Sequence, residues 1–137
     1  MSKDNLEKNK KIKKVKKISS GRGKLHIHSS FNNLIITITQ ENGDKLPDAQ
    51  ISSRTATGYR GAKASTFVAA EKAAKVTLEK LTEFGISLVE IIVWGIGSGQ
   101  DAALKKFRNA PGLQVKRWVN KTPLAFNGCR PRKTPRK

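Results

Sequence analysis

Only the middle of this chain has the charge balance of an ordinary folding unit. Residues 25–104 hold seven Lys/Arg and eight Asp/Glu, whereas residues 1–24 carry ten bases against two acids and residues 105–137 carry eleven bases and no acid. A formal charge of +18 is thus loaded onto two flanks of a nearly neutral centre. No hydrophobic core demands such sorting, and like charges at this density repel one another unless a polyanion neutralises them. Apolar residues fall mostly within 25–126, so the pattern predicts one compact domain with basic extensions. The expected organisation is a lysine-rich arm over 1–23, a core over 24–120 and a basic, proline-containing tail over 121–137.

Several classes of function lose support on the same residues. The one cysteine, Cys129, excludes an intramolecular disulfide, and one thiol with two histidines is poor material for a structural zinc site. No apolar run approaches the length that spans a bilayer. The start, MSKDNLEKNKKIKKVKK, lacks the apolar segment of a secretory signal, and Asp4 and Glu7 speak against a mitochondrial presequence. The basic flanks also lack the aromatic or leucine face that anchors a chain on a membrane surface. Nucleic acid is the favoured partner, with no membrane, small-molecule substrate, cofactor or metal expected.

Periodicity in the centre predicts an α/β fold. Leu25 and Ile27, then Leu34, Ile36 and Ile38, stand at alternate positions, which predicts strands over Lys24–Ser29 and Asn33–Gln40. Asn42-Gly43 is a tight-turn signal leading to a third strand near Lys45–Ser53, where Pro47 implies an edge or a bulge. Phe67, Ala70, Ala74, Leu78 and Leu81 mark one face of a helix running from about Ala62 to Phe84, with Glu71, Lys75 and Glu79 opposite and Gly85 as its C-cap. Ser87–Trp94 reads as a buried strand, Gln100–Arg108 as a second helix with Asp101 at its positive end, and Leu113–Val119 as a last strand. The order β-β-β-α-β-α-β predicts a mixed sheet with packed helices and right-handed crossovers.

The flanks carry the binding chemistry. Lys10, Lys11, Lys13, Lys14, Lys16, Lys17 and Arg22 on one side, and Arg130, Arg132, Lys133, Arg136 and Lys137 on the other, suit phosphate neutralisation with steep salt dependence. Pro123, Pro131 and Pro135 lower the entropy lost when such a tail is laid into a groove of folded RNA. RNA is preferred to duplex DNA, because no helix presents a row of basic and amide side chains for the major groove. Tyr59, between Gly58 and Arg60-Gly61 and close to Lys63, could stack on a base while Arg60 binds phosphate; the alternative is a loop aromatic packed on the domain. Thr55, Thr57 and Lys63 would be backbone contacts beside the N-terminus of the long helix.

Other motifs have plainer readings. Gly95-Ile96-Gly97-Ser98-Gly99 lacks the spacing and the following acid of a dinucleotide loop and the Gly-Lys-Ser/Thr of a P-loop. It reads instead as backbone passing close to RNA or as a tight turn before the second helix. His26 and His28 share one strand face without a third ligand or a catalytic partner and read as polar hydrogen-bonding residues on the solvent or RNA face; the carboxylates follow a helical surface stripe. Trp94 and Trp118 read as core or sheet-face residues in preference to stacking platforms. Cys129 has basic neighbours, which do not make it a redox device. The chain is expected not to be an enzyme. A nuclease would need clustered carboxylates, and a free RNA-annealing or nucleic-acid-packaging protein is the alternative that charge alone permits.

Taken in order, His26-Ile27-His28-Ser29-Ser30-Phe31-Asn32-Asn33 with Leu34–Gln40, Gly58-Tyr59-Arg60-Gly61 with Lys63, Ser65 and Thr66, the 95–99 glycine loop, and Lys121-Thr122-Pro123 through Asn127-Gly128-Cys129-Arg130-Pro131 form a specific set. With them the chain resembles the universal small-subunit ribosomal protein family numbered eleven, in bacterial or organellar form, over roughly 24–133. The resemblance implies a three-layer α/β/α fold with a mixed sheet, bound to rRNA on the platform of the small subunit. Neighbouring platform proteins and the exit side of the messenger path would lie close by. It also implies Asn32, Asn33, Tyr59, Arg60, Lys63, Gly97, Ser98, Asn127, Cys129, Arg130 and Arg132 as RNA-facing residues. Leu46–Arg54, Trp94, Ser98–Asp101 and the Arg132–Lys137 end depart from the family pattern.

Overall fold

A computed structural model describes residues 20–135, so the 1–19 arm, with Lys10, Lys11, Lys13, Lys14, Lys16 and Lys17, and the terminal Arg136 and Lys137 lie outside the described residues. The alternating segments form β1 (Arg22–Ser29), β2 (Leu34–Gln40) and β3 (Lys45–Ser52). A short α1 (Ser53–Thr57) and a 3-10 turn (Gly61–Ser65) lead into α2 (Phe67–Phe84), followed by β4 (Leu88–Gly95), α3 (Gly99–Arg108) and β5 (Gln114–Asn120). The sheet is mixed, in the order β3-β2-β1-β4-β5. β2 runs antiparallel to both of its neighbours, while β1, β4 and β5 are parallel.

Alternation decides which face of the sheet is buried. Gly23, Leu25, Ile27 and Ser29 of β1 point to the helices, in register with Ile38, Ile36 and Leu34 of β2 and with Val89, Ile91 and Val93 of β4. Ala70, Ala73, Ala74, Leu81 and Phe84 of α2 and Ala102, Ala103 and Phe107 of α3 close that core. Each fully buried Leu, Ile or Phe contributes about 1.5–3 kcal/mol. The alanines bring the helices close to the sheet and to each other, and a Cβ on Gly99 would stand 2.9 Å from that of Ala70. Both crossovers, β3 to β4 and β4 to β5, step the same way across strands of the same direction. The right-handed rule therefore puts α2 and α3 on one face, where they touch. The expected α/β class with a mixed sheet is what forms. Among the described residues, α2 and α3 pack on one face of the sheet and no helix lies over the other.

Local details differ from the sequence expectation in instructive places. The residues expected to end β3 instead start α1, capped by Ser52, whose hydroxyl accepts from the Thr55 N–H, and by left-handed Gly58. The long helix starts at Phe67 rather than near Ala62. The Ala64 and Ser65 carbonyls accept from the Ser53 and Ser98 hydroxyls, and Thr66 is extended, so the turn before it stays 3-10. Phe67, expected on the buried face, is exposed and has the Lys105 ammonium 5.9 Å from its ring centre. The Pro47 region is an edge, as expected. The register shifts between Thr37 and Thr39, and Asp48 takes a positive φ of 52°.

Candidate nucleic-acid interface

The C-terminal ends of β1 and β4 gather four loops that are far apart in sequence. Ser30 starts the first: its N–H and hydroxyl both donate to the Asn33 carbonyl, and its oxygen accepts from the Asn33 N–H. Asn32 is left exposed at the tip, with Phe31 beside it, 76% exposed. The glycine loop is the second. A Cβ on Gly97 would lie 2.5 Å from the Ser30 carbonyl oxygen, and one on Gly95 would overlap the carbonyl of Ser29. Both glycines are therefore required by backbone packed against backbone, without reference to a ligand. Ser98, at the start of α3, donates to the Ser65 carbonyl 3.0 Å away and so ties this loop to the 3-10 turn.

Buried Ser53 joins the third loop to the first. Its oxygen accepts from the Leu34 N–H at 3.2 Å and lies 2.7 Å from Asn33 Oδ1 and 2.6 Å from the Ala64 carbonyl oxygen. One hydroxyl proton cannot serve two acceptors. Both contacts are satisfied when Asn33 turns its amide nitrogen towards Ser53 and the hydroxyl donates to Ala64. Asn33, expected to face RNA, is thus half-buried and engaged inside the protein. Arg60 and Lys63 are exposed on the segment held this way. The Tyr59 ring is half-buried with the Lys72 ammonium 5.4 Å from its centre, so the aromatic is partly covered by α2.

The fourth loop is the start of the tail. The Lys121 N–H donates to the Val93 carbonyl, continuing the β4–β5 ladder. The Thr122 oxygen accepts from the Gly95 N–H, while its hydroxyl proton lies toward Asn120 Oδ1 at 2.7 Å. Among the described residues beyond Pro123 there is no regular element, and Asn127, Cys129, Arg130, Arg132 and Lys133 are all exposed, with Asn127 at a positive φ of 46°. Asn32, Asn33, Lys63, Gly97, Ser98 and the root of the tail are brought to one end of the sheet. Arg22 is not: it is exposed at the start of β1, opposite Leu88.

Sequence reasoning puts His26 and His28 on a solvent or RNA face but does not join them to Trp94. His26, His28, Ile92 and Trp94 share the open face of the sheet, and the Trp94 and His28 ring centres are 4.8 Å apart at 54°. Burial, then Lys121 and Lys24, push the His26 pKa below its ordinary 6.5, so the imidazole is neutral at pH 7 and pairs with the Thr39 hydroxyl at 3.2 Å. The Arg117 guanidinium bonded to Glu90 holds that carboxyl below its usual range. The parity of His26, His28 and Trp94 was visible in the sequence; the parallel β1–β4 pairing that puts the ring of Trp94 on His28 was not. Trp118 lies across the sheet on the helix side, half-exposed near Leu104 and Arg108 of α3.

The chain is similar in sequence to a family of known proteins. The profile of the family described as Ribosomal protein S11 matches residues 23–136. The chain is 42% identical over 136 residues to the small ribosomal subunit protein uS11 of Nautilia profundicola, covering 99% of both chains. It is 42% identical over 126 residues to that of Thermus thermophilus, covering 91% of this chain and 93% of the relative. The corresponding protein of Thermosipho melanesiensis is 41% identical over 122 residues, 89% of this chain and 92% of its own.

Proposed function

Because the chain belongs to the family of ribosomal protein S11, we propose that it is a structural constituent of the small ribosomal subunit that binds and organises rRNA. The near full-length match to proteins named for that subunit is the observation that carries this reading. Charge and geometry supply the mechanism. The nearly neutral α/β core presents one gathered end of loops, and the basic arm and tail reach from it to neutralise phosphates that otherwise repel one another. Register would come from Asn32, Arg60, Lys63 and loop backbone, and affinity from Arg130, Arg132, Lys133 and the other flank cations. Asn33, Gly97 and Ser98 would act through the protein, by holding the loops that face the RNA.

The finer placement follows the family resemblance: the platform of a bacterial or organellar small subunit, beside neighbouring platform proteins and the exit side of the messenger path. The role is structural, with no reaction assigned. The three-part division into arm (1–23), core (24–120) and tail (121–137) belongs to this proposal, and the end of β5 at Asn120 supports placing the second division there. The test is assembly. The purified chain should enter small subunits reconstituted from rRNA and the remaining proteins, and its binding to rRNA alone should weaken steeply between about 50 and 200 mM salt. A chain that stays off the particles and ignores rRNA at low salt would remove the proposal.

A further inference from the structure

We propose that the open face of the sheet holds an unpaired nucleotide of RNA, its base stacked on Trp94 beside His28 and its phosphate on Lys121. This rests on the rRNA-binding reading above and assigns it a place. The groove encloses about 350 Å³ between the sheet face and the root of the tail, with Ile92 at its floor and Pro123 on its wall. Trp94 is 51% exposed there, an expensive position for the largest side chain unless something covers it. Its partner His28 is also exposed and leans on it, which holds the indole in place as a preformed platform. The wall is equally fixed, because Lys121 and Thr122 are bonded to the Val93 carbonyl and the Gly95 N–H.

Charge selects the occupant. Lys121 and Lys24 are the cations that act on His26, while Glu90, the acid on this face, is neutralised by Arg117 at 2.6 Å. A neutral His26 adds no positive charge but can accept or donate a hydrogen bond at a base edge. The surface is therefore aromatic and apolar at the centre with a cation at the rim, the combination that binds single-stranded nucleic acid through a π-face and a phosphate. It is continuous with the basic tail that starts at Lys121. An ordinary peptide would match the rings but leave the lysines without a counter-charge.

The full-length chain carrying W118F leaves Trp94 as the single indole, since the sequence has two tryptophans. Titration with a short unstructured oligouridylate should quench and shift Trp94 emission. An abasic ribose-phosphate oligomer of the same length should bind through the cations and leave that emission nearly unchanged. Trp94→Ala should weaken oligouridylate binding about tenfold at an unaltered salt slope, and Trp94→Phe should restore most of it. Lys121→Ala should lower the salt slope by about 0.7. The fluorescence arm needs no change at position 94, so a poorly folded Trp94→Ala does not spoil the test. If oligouridylate binds tightly and Trp94 emission does not move, the inference is wrong while the rRNA-binding reading survives. If the chain binds no RNA at low salt, that reading itself fails. In reconstituted small subunits, a photo-cross-linker at position 94 should label RNA; label confined to protein would overturn the nucleotide as occupant.

Discussion

Gly43 and Gly95 have nearly the same backbone angle, φ of 97° and 94°, but opposite surroundings. A Cβ at Gly43 meets nothing within 4 Å, whereas one at Gly95 overlaps the Ser29 carbonyl oxygen and lies 3.2 Å from its carbon. Replacing each with alanine separates conformational strain from steric exclusion. The left-handed strain costs roughly 1–2 kcal/mol, and the stiffer unfolded chain returns about 0.4–1 kcal/mol. Gly43→Ala should therefore cost about 1 kcal/mol, or about 4–8 °C in Tm for a core of this size. Gly95→Ala carries the same strain plus an overpacking cost of about 1–3 kcal/mol, because β1 and β4 must part at their ends. Its loss should be roughly 2–4 kcal/mol and about 8–32 °C. Circular dichroism melts of the two variants and the parent make the comparison. Equal losses would mean that the ends of β1 and β4 are not packed as tightly as described, and the structural reason for the glycine loop would fall.

The remaining predictions concern the hub, the half-buried His26 and the tail. Ser53→Ala should cost about 1–3 kcal/mol by stranding the Leu34 N–H and the Ala64 carbonyl, read as a lower urea midpoint at unchanged m; an unmoved midpoint would deny the hub. For His26 the folded pKa lies below the unfolded 6.5, so the unfolded chain takes up the proton first. Stability should be full above that value and fall as pH drops through it towards the folded pKa, by at most about 1.4 kcal/mol per pH unit. His26→Gln should flatten this part of the stability–pH curve, and an equally steep curve in the variant would assign the effect elsewhere. A chain ended at Pro123 keeps the Thr122 contacts but loses five cations between Arg130 and Lys137. Its salt slope for rRNA should drop by up to about 3.5–4.5 with little change in Tm, whereas unchanged slopes would show that the tail does not meet phosphates.

Much of this molecule was legible residue by residue. Alternation located the strands to within two residues, the 3.6 period and Gly85 located the body and end of α2 but not its start, and the sorting of charge named a polyanion as partner. These signals are local: each depends on a side chain's neighbours along the chain, and each survives whatever the rest of the protein does. Tertiary structure decided the rest. Ser53 reads as an unremarkable strand residue until the start of β2 and the 3-10 turn close around it, and five residues of α1 would not hold a helix alone. Asn33 and Gly97 resemble ligand contacts in the sequence, yet the fold uses one to hold Ser53 and the other to let β1 and the glycine loop touch. Trp94 gained a partner, an exposure and a groove only when β4 paired in parallel with a strand 66 residues before it. Hydrophobic period and charge are written along the chain, but the pairing of distant strands is settled by which arrangement buries the most apolar surface at once, and that is a property of the whole chain.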